Sequence, residues 1–240
     1  LPVFLTQFFG ALNDNFLKNA LIILIAYQGV RVMGISSELM VPFAGAIFIL
    51  PFFIFSATAG QVADKYDKSV LIRMIKIAEI LIMFLATAGF FYQQFELLIL
   101  ALFFMGMHSA FFGPLKYSIL PQHLDAKQLV AGNAFISAGT FVAILIGTIV
   151  GGSLIAIPDS GPRLVSIGLL LVAILGAVTS WFVPNAPAAD PDLLVQWNPI
   201  PPTVSVWRQM LENRPVYLSI LGASWFWFFG SAVLSLLPIY

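Results

Sequence analysis

Residues 129–157 read LVAGNAFISAGTFVAILIGTIVGGSLIAI, a run without one Asp, Glu, Lys or Arg. A helix rises about 1.5 Å per residue and a bilayer core is about 30 Å thick, so about 20 such residues cross it. This run crosses with a turn left over. Comparable apolar runs lie on both sides of it, at 2–29, 40–63, 70–92, 97–120 and 164–183, and a further one begins near Val216. Lipid cannot solvate a bare backbone, so six helices in series imply an up-and-down bundle with short loops on alternating sides.

Composition agrees. Hydrophobic residues make up 60% of the 240, charged residues only 9%, and the mean hydropathy is +0.97, a balance that calls for lipid as the solvent. Eleven basic side chains offset eleven acidic ones, so the electrostatic footprint of a nucleic-acid binder is missing. Cysteine is absent, which removes disulfides, thiolate metal sites and a Cys nucleophile. His108 and His123 lack carboxylates at metal-ligand spacing, and no P-loop, G-x-S-x-G or Rossmann fingerprint occurs. We therefore expect no catalytic residue, metal or cofactor in this chain. It opens on Leu1 and closes on Tyr240 inside an apolar run, and we read it as a piece cut at both ends.

Orientation follows from the basic residues. Breaks after the second, fourth and sixth runs collect Lys65, Lys68, Arg73, Lys76, Lys116, Lys127, Arg208 and Arg214, whereas the other side holds Arg31 and Arg163. The even breaks and the N-terminus are therefore expected in the cytoplasm. After the sixth run, Pro184, Pro187, Pro191, Pro199, Pro201 and Pro202 exclude a helix from the first part of the connection. Its later part sets Val204, Trp207 and Leu211 on one face, which fits either a short interfacial helix or a plain loop. The expected organisation is a six-helix bundle over 1–183, a cytoplasmic linker over 184–214 and the start of a second bundle over 215–240.

The first run is the costly one. Gln7, Gly10, Asn13, Asp14, Asn15, Lys18 and Asn19 interrupt its apolar residues, and an ion at the bilayer centre costs about 2.5–3.5 kcal/mol on insertion scales. At about 100° per residue, Gln7, Asp14 and Lys18 fall within roughly 40°, as one stripe, with Asp14 and Lys18 spaced i, i+4. Two readings stand: an ion pair that neutralises itself and fixes packing, or a lumen-facing binding or coupling site. The fourth run adds His108, Ser109, Lys116 and Tyr117. There His108 is either a packing residue or a cavity residue, and Lys116 either snorkels to the interface or faces inward. Lys76 and Glu79, three apart, are spaced so that they could pair with each other, with a structural or latch role ahead of substrate contact. Gly139, Ala143, Gly147 and Gly151 repeat every four residues and read as a packing stripe that lets two backbones approach.

The loop Gly60-Gln-Val-Ala-Asp64-Lys65-Tyr-Asp67-Lys68, continuing to Arg73, resembles the signature loop of the major facilitator superfamily, with Asp67 in place of the family's second glycine. The resemblance implies the first half of a twelve-helix transporter, with Gly60, Asp64, Lys68 and Arg73 as a conformational latch whose basic residues bridge to carboxylates. It also implies that the first and fourth helices line the central cavity. The wording TQFFGALNDNFLKNA at 6–20 and FGPLKYSILP at 112–121 is similar to the bacterial lysophospholipid transporter family, and that at 6–20 especially to transporter parts fused to an acyltransferase and an acyl-carrier-protein ligase. That likeness implies a lysophospholipid as substrate, the bacterial inner membrane as location and a fused or associated acyltransferase as partner. Asp14, Asn15, Lys18, His108 and Lys116 would then be its binding or coupling residues. A proton-coupled carrier of a small polar solute and a non-transporting membrane anchor of an acyltransferase remain alternatives.

Overall fold

A computed structural model describes residues 1–28 and 37–236. Arg31, the last residue of the first predicted run and the end of the last one lie outside the described residues. Two compact units are present, Leu1–Val195 and Gln196–Tyr240.

The first unit contains α1 (Pro2–Gln28), α2 (Ser37–Lys65), α3 (Lys68–Phe91), α4 (Phe95–Ser118), α5 (Leu120–His123), α6 (Leu129–Ile155) and α7 (Gly161–Ser180). The six predicted runs correspond to α1, α2, α3, α4, α6 and α7. All but α3 are long and apolar enough to cross a membrane by length and composition; α3 carries Lys68, Arg73, Lys76 and Glu79. α1 packs most closely on α6 and then on α7, α2 packs on α4, and α3 lies against α4 and α7.

Burial is inverted relative to a water-soluble protein. Phe53, Leu81, Phe84, Leu145 and Leu171 are exposed, while Lys76 and Glu79 are fully buried. Lipid on the outside explains both, because it accepts apolar side chains at no cost and drives ionic groups inward. The core is filled by Phe16, Leu17, Leu21, Ile25, Met83, Leu98, Leu102, Met105, Val165 and Leu169.

α6 meets α1 through its small-residue stripe. A Cβ on Gly147 would strike the Leu12 carbonyl oxygen, one on Gly151 would strike that of Phe16, and one on Gly139 would enter the Phe4 ring, while Ala143 is fully buried. These positions set the α1–α6 distance.

The compact unit runs on to Val195, past the sequence boundary at 183. Val183 and Ala186 are buried in a small core with Ala63, Ile72, Phe112, Leu115 and Ile119. In the second unit, α8 (Ile200–Glu212) opens with prolines in its first turn, where a missing N–H costs nothing, and α9 (Arg214–Leu236) follows. The later linker is thus a helix, mostly exposed, with Met210 buried.

Candidate functional site

Asp14 lies at the middle of α1, half-buried, and its Oδ2 accepts a 2.6 Å hydrogen bond from Ser109 Oγ of α4. Lys18, one turn further, donates to Asn15 Oδ1 at 3.0 Å and stands 5.5 Å from the centre of the Phe48 ring of α2. Asn15 is itself held by the Ala11 carbonyl. The i, i+4 spacing of Asp14 and Lys18 does not produce an ion pair: no such contact within 4.0 Å occurs among the described residues. Each takes a neutral partner, which leaves both charges available.

The expected single stripe is corrected. Gln7 donates to Thr140 Oγ1 of α6 at 2.9 Å, Asn19 to Thr148 Oγ1 of α6 at 3.1 Å, and Asn13 to Glu79 Oε1 of α3 at 2.8 Å. With Asp14 meeting α4 and Thr6 meeting Thr179 of α7, the polar residues of α1 serve four neighbours, because α1 is surrounded by helices. Of the stripe, Asp14 and Lys18 remain half-buried while Gln7 is buried.

Lys116 lies two turns along α4 from Ser109, half-buried, with Nζ 5.1 Å from the Tyr117 ring and no ion pair among the described residues. α1 and α4 run antiparallel here. Asp14 is level with Ser109, and Lys18 lies against Phe48, whose backbone abuts Gly106. Lys18 therefore lies to one side of Asp14 along the bundle axis and Lys116 to the other.

His108 is placed differently from the cavity reading. It is 6% exposed, stacks parallel to Phe112 at 6.2 Å, and its Nε2 stands 3.1 Å from Glu79 Oε2. Lys76 Nζ reaches the same oxygen at 2.5 Å, so the pairing that the i, i+3 spacing allows does form and is fully buried. Long-range partners on α1 and α4 carry no local sequence signal, which is why Asn13 and His108 were not visible as members of this cluster.

At the loop between α2 and α3, Asp67 caps α3. Its Oδ1 accepts from the Val70 N–H at 3.0 Å and from Ser69 Oγ at 2.5 Å. The backbone there has φ −57°, which any residue adopts, so the family's glycine is not needed for this turn. Slight burial would raise the Asp67 pKa, but the bonds from Ser69 and Val70 and the nearby Arg73 outweigh it and hold the carboxyl below its usual value.

The latch reading sets these basic residues against the second half of the carrier. Among the described residues Lys65 Nζ donates to Leu193 O of the linker at 2.8 Å and Arg73 to Val183 O at 3.4 Å, with Arg73 also over the Trp181 ring at 5.5 Å. The Asp64 carbonyl accepts from the Ala189 and Asp190 N–H groups, both at 2.9 Å, and the Lys68 N–H donates to Ala186 O at 2.8 Å. Lys68 Nζ is buried and has no hydrogen-bond partner among the described residues. A Cβ at Gly60 would meet nothing within 4 Å, so nothing in this bundle requires a glycine there.

An inside-out helical bundle with a half-buried carboxylate between two cations is the construction of a multi-pass membrane protein with a polar interior site. The Major Facilitator Superfamily matches residues 3–240, and the chain belongs to that superfamily. Among curated proteins it is similar to the "Lysophospholipid transporter LplT" of Photorhabdus laumondii, 27% identical over 99% of this chain and 56% of the relative. Proteins of the same name from Serratia proteamaculans and Escherichia fergusonii are each 28% identical, over 100% and 99% of this chain and 57% and 56% of theirs. The chain spans a little over half the length of the curated relatives it matches.

Proposed function

We propose that this chain forms the first half of a carrier that flips lysophospholipids, lysophosphatidylethanolamine among them, across the bacterial inner membrane by alternating access. The observation that carries this reading is the arrangement around Asp14: a carboxylate held by a neutral hydroxyl, with Lys18 and Lys116 on either side of it and neither lysine ion-paired among the described residues. One carboxylate and two cations suit a head group that carries an ammonium and a phosphate. In this reading Asp14 meets the ammonium and the lysines meet the phosphate.

The acyl tail requires an apolar wall beside that head group. From Lys18 over Phe48, the ring of Phe52 follows at 6.0 Å, and further along α2 the Phe55 ring faces Phe111 of α4 at 6.0 Å. The names of the relatives support the same substrate class. The excess of basic residues on the even loops supports a cytoplasmic N-terminus. A lysolipid delivered to the inner leaflet is a substrate for reacylation, so a fused or associated acyltransferase is the partner this function calls for.

The test is uptake of labelled lysophosphatidylethanolamine by vesicles containing the full-length parent protein, beside an Asp14→Asn variant at equal expression. Loss of uptake in the variant is expected. Equal uptake by both overturns the role of Asp14, and no uptake by either directs attention to a small polar solute.

A further inference from the structure

Glu79 is a fully buried ionic group that the proposed head-group site does not use, and three side chains from three helices converge on it. Oε1 accepts from Asn13 Nδ2 of α1 at 2.8 Å, and Oε2 takes Lys76 Nζ of α3 at 2.5 Å, with His108 Nε2 of α4 3.1 Å away. Space for the lysine is built into the neighbouring helices. A Cβ on Gly10 of α1 would lie 2.8 Å from Lys76 Nζ, and one on Gly176 of α7 would lie 3.1 Å from it. The ammonium thus sits in a slot between two glycines, 5.6 Å from the Phe112 ring.

The register of these contacts is the informative part. Asn13 and His108, the residues on α1 and α4 that meet Glu79, each directly precede a member of the Asp14–Ser109 hydrogen bond. One carboxylate on α3 is therefore hydrogen-bonded to α1 at the residue before Asp14 and stands beside α4 at the residue before Ser109. Rotation of α1 about its axis would carry Asn13 off Glu79 and Asp14 off Ser109 together. A plain packing ion pair needs only Lys76 and Glu79, three apart on one helix; it does not need both oxygens engaged across helices.

Resting on the lysolipid reading above, we infer that Glu79 is a positioning residue for the head-group site, acting on Asp14 through Asn13 and through the His108–Ser109 segment. Lys76 neutralises Glu79, so the positioning group adds no net charge to the neighbouring site and leaves Lys18, Lys116 and Asp14 to set its field.

The experiment is a double-mutant cycle on the full-length parent protein in detergent, with lysophosphatidylethanolamine affinity read from intrinsic tryptophan fluorescence. The variants are Glu79→Gln, Asn13→Ala, Asp14→Asn and each of the first two combined with the third. Asn13→Ala keeps the buried ion pair and so covers the case in which Glu79→Gln fails to fold. If Glu79 acts through Asp14, each single variant weakens binding by about tenfold, the size of a coupling between residues in one network, and the same change costs less than about twofold once Asp14 is Asn. Equal losses in both backgrounds, or no loss from Asn13→Ala, overturn the inference while parent binding keeps the lysolipid reading intact. Absence of binding by the parent overturns both.

Discussion

Ser109 Oγ donates to Asp14 Oδ2 at 2.6 Å and so joins the midpoint of α1 to the midpoint of α4, two helices with otherwise few direct contacts. The same carboxylate has its other oxygen, Oδ1, buried without a hydrogen-bond partner among the described residues. A charge aimed by one hydroxyl and otherwise unsatisfied is ready for a cationic ligand, provided its orientation is kept.

Ser109→Ala removes that aim and leaves the charge. A hydrogen bond to an ionised group contributes about 1.5–3 kcal/mol, so we expect the apparent KM for lysophosphatidylethanolamine to rise by about tenfold or more with kcat little changed. Uptake kinetics over a substrate series separate the two; a fall confined to kcat would place Ser109 in the transport step instead.

The contact between α1 and α6 makes a second, independent prediction. A Cβ at Gly147 strikes the Leu12 carbonyl oxygen, whereas one at Gly152 comes no closer than 3.7 Å to Ile23, an ordinary contact. Gly147→Ala is expected to destabilise the bundle by about 1–3 kcal/mol, the cost of overpacking, while Gly152→Ala stays within about 0.5 kcal/mol. Thermal unfolding in detergent compares them directly, and equal midpoints would refute the close approach.

Much of this architecture is legible in the sequence because the bilayer imposes it locally. The charge-free run at 129–157 needs no partner to be read as a span, and its four-residue glycine spacing marks a packing face without saying which helix it meets. The Lys76–Glu79 pair is legible for the same reason, since both ends lie on one turn of one helix. Direction around a helix is harder. Gln7 and Asp14 share an azimuth on α1, yet they meet α6 and α4 respectively, because two turns along the helix the neighbour has changed. The i, i+4 spacing of Asp14 and Lys18 permits a pair but does not compel one, and Asn15 and Ser109 supply closer partners. The docking of residues 183–193 on the α2–α3 loop is carried by backbone carbonyls and N–H groups, which every sequence has and none displays.

Asp67 gives a pH-dependent prediction outside the membrane. Its folded-state pKa lies below the ordinary carboxylate value, so its contribution to stability is fully present above that ordinary value, about pH 3.9, and is lost as pH falls through the folded pKa. Asp67→Ala removes an N-cap and should cost about 0.5–2 kcal/mol at pH 7. The gap in unfolding midpoint between parent and variant should narrow as the pH is lowered toward 3. A gap that stays constant would show that the cap acts without its charge.

The docked linker yields the last prediction. Ser69 at the start of α3 lies 3.4 Å, oxygen to oxygen, from Asn185, and Ala186 beside it is fully buried. Since these 240 residues contain no cysteine, a Ser69→Cys/Asn185→Cys pair provides two defined thiols within this chain, close enough to be cross-linked as a disulfide by mild oxidation. Efficient cross-linking in membranes is expected if the strap rests on the loop in the native protein, and its absence would dismiss the contact. The loop hands Lys65 and Arg73 to linker carbonyls, so the cross-link also asks whether those groups must let go during transport. A cross-linked carrier with normal lysolipid uptake would make the strap a fixed part of the bundle. Uptake blocked by cross-linking and restored by reducing the disulfide would make its release a step of the cycle.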